Sequence, residues 1–137
     1  MVDPPLDQLL KVDAVVHLRV VADSHLVIIP SENCDIRSHQ TAATILAVGA
    51  IARGEWKPGA TVQIASGDPL TADTEYLAFL KYRDVVQRFT LGSYYAANVS
   101  DGRVEWYEDE QLGFRNGAPI SQALARIRDV HGRQSKR

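Results

Sequence analysis

Cysteine is almost missing from this sequence of 137 residues. Cys34 stands alone, so no internal disulfide can staple the fold. Long hydrophobic runs are missing too. The longest small and apolar stretch, TAATILAVGAIA at 41–52, falls well short of the roughly 20 residues that a membrane-crossing helix needs, so no membrane span is expected. Neither sign of charge dominates: 15 Lys+Arg against 17 Asp+Glu leave a net charge of −2. Electrostatic binding of nucleic acid uses a basic excess, so a nucleic-acid partner is not expected. The sequence also lacks a G-x-S-x-G elbow, a phosphate-cradling P-loop and a dinucleotide fingerprint. Without them, neither a cofactor nor an enzymatic activity is expected.

What is present fits one globular domain. The hydrophobic fraction of 45% suffices for a core at this length. The chain opens MVDPPLDQLL, with no basic start and no apolar stretch of signal-peptide length. That fits either a cytoplasmic protein or a mature form carrying a start methionine. Residues 6–11 read as a short helix with Leu6, Leu9 and Leu10 on one side. Residues 14–22 (AVVHLRVVA) alternate as a strand, with Val16, Leu18 and Val20 on one face and His17 and Arg19 on the other. Asp23-Ser24 reads as a turn, HLVII at 25–29 as strand, and 30–38 as a polar loop. Residues 40–52 have the length of a helix, but Thr41, Thr44, Val48 and the central Gly49 favour a strand bending at the glycine. Pro58-Gly59 suits a type II turn, 61–65 and 75–82 read as strands, and 66–72 as a loop. Gly92-Ser93 and Asp101-Gly102 are hairpin signals. Residues 120–130 place Ile120, Leu124, Ile127 and Val130 on one helical stripe, with Ser121 as candidate N-cap. Several short strands followed by one amphipathic helix favour a small barrel with a helix packed on it.

Five segments carry a family resemblance. Residues 53–62 (RGEWKPGATV) resemble the "lKG-x-hKPG-x-x-V" turn of small bacterial domains built like the N-terminal domain of the tissue inhibitors of metalloproteinases. Residues 13–21 (DAVVHLRVV) look like their first strand, and Cys34 with 41–48 is similar to their cysteine-led second strand. EYLAFL at 75–80 looks like their "x-YLLFL" strand, and 98–104 (NVSDGRV) is similar to a closing segment. The resemblance covers 13–104 and implies a mainly β fold, an OB-type five-stranded barrel with, in this chain, a C-terminal amphipathic helix. It also implies export to the periplasm or beyond. A single domain over 1–130 with a flexible tail at 131–137 follows. The animal inhibitors chelate protease zinc through an N-terminal cysteine, whereas this chain begins Met1-Val2-Asp3-Pro4 and its cysteine is internal. The resemblance therefore implies the fold and not the inhibitory chemistry.

Candidate chemistry is sparse. His25, Cys34, Asp35 and His39 flank one polar loop, but their spacing matches no standard zinc site, and no metal is expected. A reactive Cys34 would need a nearby base, and only His39 is close in sequence. Glu105, Glu108, Asp109 and Glu110 could form a carboxylate pair, yet read better as a solvated edge. Asn98-Val99-Ser100 fits a glycosylation acceptor, a coincidence if the bacterial resemblance holds. Trp56, Tyr94, Tyr95, Trp106 and Tyr107 either form a stacking platform or close the barrel core. Two functions follow. One is a non-enzymatic exported binding module with a protein partner. The other is an oligosaccharide- or nucleotide-binding barrel using those aromatics.

Overall fold

The structure is a computed structural model that describes residues 12–105 and 117–135, with the backbone alone at 92–96 and 134–135. The short helix expected at 6–11 lies outside the described residues. The strands are β1 (Ala14–Val20), β2 (His25–Ile29), β3 (Ile36–Ile51), β4 (Thr61–Ser66), β5 (Glu75–Arg83), β6 (Arg88–Ser100) and β7 (Arg103–Glu105), followed by helix α1 (Ile120–Ser135). The fold is mainly β with a C-terminal helix, as expected. Because β1 pairs with both β5 and β3, five strands close into a ring in the order β1-β3-β4-β6-β5. All its contacts are antiparallel except that of β4 with β6.

Residues 40–51 are strand and not helix, and belong to the 16-residue β3, which ends just before Ala52. Its pairing with β1 slips twice, so that Gly49 and Leu46 are left without a partner in the register. Each extra residue is a bulge that bends the strand. Asp23-Ser24 does not reverse the chain as the sequence suggests. Both β1 and β2 run antiparallel to β3 on the same edge, so 21–24 is a kink within one long run. Hydrogen bonds to the loop opposite hold it there, with Ser24 Oγ accepting from Leu70 N at 2.8 Å and Asp23 Oδ1 from Ala72 N at 2.8 Å. The chain reverses at 30–35, and residues 36–38, expected in the loop, already pair with β2. The result is a two-stranded arm that projects from the ring.

Gly92-Ser93 is not a hairpin, because β6 runs unbroken through it. The reversal between β5 and β6 lies at 84–87, with Gln87 at φ 54°. The glycine instead marks an irregularity: Ala78 pairs with Ala96 and Leu80 with Leu91, so residues 92–95 stand opposite Phe79 alone. The other two turn expectations hold. Gly59 has φ 89° and Ala60 N donates to Lys57 O at 3.0 Å, and Asp101 and Gly102 at φ 51° and 73° turn β6 into β7.

Two apolar clusters lie on opposite sides of the sheet. Ala14, Val16, Leu18 and Val20 of β1 join Ala43, Ile45, Ile64, Ala78, Leu80 and Leu91, so every ring strand contributes to an enclosed core. Val15, on the opposite face of β1, packs outside the ring with Ala50, Leu77, Phe79, Ala97 and Val99 against Leu124, Ile127 and Val130 of α1. The helix comes close because Gly49 lacks a side chain. A Cβ there would sit 3.0 Å from Val15 O, 3.1 Å from Leu124 Cδ2 and 3.4 Å from Ile127 Cγ2. Beside the bulge, Val48 O accepts two bonds from Arg128, at 3.1 and 2.7 Å. Ser121 is not the N-cap: Ala123 N donates to Pro119 O at 3.1 Å, so Pro119 holds that position and Ser121 lies in the first turn. The helix also continues to Ser135, through residues expected to be tail, with Arg133 3.1 Å from Asp129 one turn back.

Leu124→Ala is expected to cost about 2–5 kcal/mol, and Gly49→Ala about 1–3 kcal/mol through overpacking. The double variant is expected to lose less than the sum, because truncating Leu124 frees part of the space that the new methyl needs. Urea unfolding of the four proteins measures this coupling, and strict additivity would refute the close packing of α1 on Gly49.

Candidate functional site

The turn between β3 and β4 carries Trp56 to the mouth of the ring. Gly54 adopts φ 87°, and a Cβ on it would come within 3.1 Å of the indole nitrogen. Trp56 is only 8% exposed. Its Nε1 donates to Arg53 O at 2.8 Å, and its ring meets Phe89 edge-on at 4.7 Å. Phe89 in turn meets Tyr82 at 5.3 Å, and the Arg53 guanidinium lies 4.4 Å over the Tyr82 ring. This chain of rings plugs one end of the ring of strands. Trp56 is thus a packing residue, with little surface left for a ligand base or sugar. Tyr94 and Tyr95 lie in β6 by their backbone, whereas their side chains, and Trp106 and Tyr107 entirely, fall outside the described residues.

Among the described residues no group of three or more His, Cys, Asp or Glu side chains could hold a metal ion. The arm explains why. His25 pairs with Gln40 and Leu26 with His39, so the two histidines occupy opposite faces of the β2–β3 ribbon. Cys34 is exposed in the loop at the arm's tip. Of the acidic stretch only Glu105, at the end of β7, is described. Asn98 lies in β6 between Tyr76 of β5 and Glu105 of β7.

The arm leaves one strand edge unpaired among the described residues: β2 pairs with β3 on one edge, and nothing described pairs with the other. Leu26 is 40% and Ile28 52% exposed, side by side on one face with His39 and Arg37 across the ladder. Edge strands are ordinarily protected by charge, proline or a bulge within the strand. HLVII carries none of these. Sequence alone could not single out Leu26 and Ile28, since an uninterrupted apolar run reads equally well as a buried strand. The signal was the combination of that run with its polar flanks, Asp23-Ser24 and Pro30, which end the strand after five residues.

Between β1 and β5, His17 Nε2 lies 2.7 Å from Glu75 Oε1. The neighbouring Tyr76 packs against the enclosed core, and burial holds its phenol above the ordinary tyrosine range. Comparison with protein-family models, curated proteins and solved structures returned no match.

The raised Tyr76 phenol has a measurable consequence. The fold favours the neutral form, so the stability this contributes is complete below a pH of about 10, the ordinary tyrosine value, and is lost as pH rises through the raised value. Tyr76→Phe is expected to lose less stability across that alkaline range than the wild type. Denaturant midpoints measured against pH test this, and parallel curves would refute it.

Proposed function

We propose that this protein is a non-enzymatic binding module of OB-type fold whose partner is a protein. The connectivity supports the OB-type reading. Counting only ring strands, neighbours run first-second-third-fifth-fourth and back to the first, with the third and fifth parallel. That order is the one a Greek-key ring of the OB kind would have, and it supports the reading. Among the described residues no helix is long and apolar enough to cross a membrane. On the resemblance to exported bacterial domains, the module works outside the cytoplasm.

One observation carries the protein partner: the edge of β2 that no described residue pairs with, on a projecting arm with Leu26 and Ile28 exposed. An extended polypeptide adding to that edge would satisfy its backbone groups and cover its aliphatic side chains together. Stacking ligands have less to recommend them, because Trp56 has spent its ring surface on Phe89 and its indole N–H on Arg53.

A photocrosslinking amino acid in place of Leu26, in the native cell, tests the reading. A discrete polypeptide adduct is expected, and it should disappear when Ile28→Asp is added. Labelling no stronger than that from the same probe at exposed Thr71 on the loop would refute it.

A further inference from the structure

We propose that the outer face of the β5–β6 hairpin is a second docking surface, and that its occupant is an acidic segment of a partner protein. The inference rests on the module reading above and concerns a different surface of the same chain. Leu80 belongs to the enclosed core, and Tyr82 turns its ring to Phe89 at the mouth, so alternation puts Lys81 and Arg83 on the outside. The register sets Lys81 opposite Thr90 and Arg83 directly opposite Arg88.

Like charges directly opposite one another in an antiparallel pair are destabilising. Among the described residues none of these cations forms an ion pair; Arg88 donates Nη1 to the neutral amide of Gln63 at 2.7 Å. Nothing described therefore offsets the opposition of Arg83 and Arg88. A carboxylate arriving from outside would offset it, and guanidinium forks are well shaped to take one. The hairpin KYRDVVQR carries Lys81, Arg83 and Arg88 against the single acid Asp84, in a chain of net charge −2. At its tip Val85 is 50% exposed.

Clustered cations around an exposed aliphatic side chain match a segment bearing both carboxylates and apolar residues. A nucleic-acid strand would want exposed rings on this face for its bases, and here Tyr82 and Phe89 lie on the other side. The loss of stability at the Arg83–Arg88 pair is then what a binding surface exacts from the fold.

A labelled peptide of alternating glutamate and leucine, and an oligothymidylate of equal charge, titrated against the full chain, test the proposal. The peptide should bind, and more weakly as salt rises. Arg83→Glu should lower its affinity about tenfold or more while raising the melting temperature, because a carboxylate now faces Arg88. Absence of peptide binding, unchanged affinity in the variant, a lower melting temperature or tighter binding of the oligothymidylate would each overturn it. The crosslink from position 26 is read separately. Retention of that adduct alongside failure of the peptide removes this surface alone, whereas loss of the adduct removes the module reading as well.

Discussion

The pairing of β3 with three neighbours is the constraint from which the rest of the structure follows. Its one edge takes β4, and its other edge takes β1 along one half and β2 along the other. A straight strand of this length could not curve with the ring and still project as an arm. The extra residues at Gly49 and Leu46 supply the bend, since a bulge adds local twist and lets one strand turn against its partner. Gly49 serves twice, because its missing side chain is also the space into which Leu124 and Ile127 fit. The carbonyl of Val48 beside the bulge is held by Arg128. Ring closure and helix docking therefore meet at one point in the chain.

The helix is needed because the ring exposes apolar side chains on both of its faces. β1 and β5 bury nearly every residue along their paired lengths, Val16, Leu18 and Leu80 inward and Val15, Leu77 and Phe79 outward. At about 25 cal/mol per Å² of apolar area, leaving the outward set in water would forfeit much of what closure gains. α1 covers it with Ala123, Leu124, Ile127 and Val130. This outer packing lets strands carry apolar residues at successive positions, as in EYLAFL, where a one-sided sheet would alternate.

That double burial also explains what was legible in the sequence. The mainly β architecture, the helical stripe of α1 and the turns at Pro58-Gly59 and Asp101-Gly102 could be read from period and turn chemistry, because each depends on neighbours a few residues away. Gly92-Ser93 and Asp23-Ser24 misled for a common reason. Both pairs have turn chemistry, yet the chain there is held by distant partners: β5 across from 92–95, and Ala42, Leu70 and Ala72 around 21–24. Local propensity marks where a strand can be irregular; whether it reverses or bulges is decided by pairing. The same holds for the site. Trp56 was visible as a candidate but not its burial against Phe89, which depends on a residue 33 positions later (89 − 56). Leu26 and Ile28 were visible as strand but not as edge.

A ring of five strands is narrow, and this one is filled by its own side chains. Fewer strands mean a smaller bore, and even eight leave room only for packing or one small ligand. Its two ends are closed as well, one by Trp56 and Phe89, the other by Leu70, which is 4% exposed and tied through its backbone to Ser24. The proposed partner would therefore have to bind on the outside of the ring. Among the described residues, two connections add surface the core does not use: the arm that continues β1 beyond the ring, and the 84–87 turn that extends β5 and β6 past its mouth. The arm leaves the ring where β1 meets Leu70 and Thr74, and the hairpin where β1 begins beside Asp13, whose Oδ2 accepts from Tyr82 N at 2.7 Å. They sit at opposite ends of the same ring, so the two proposed surfaces are separated by the length of its strands.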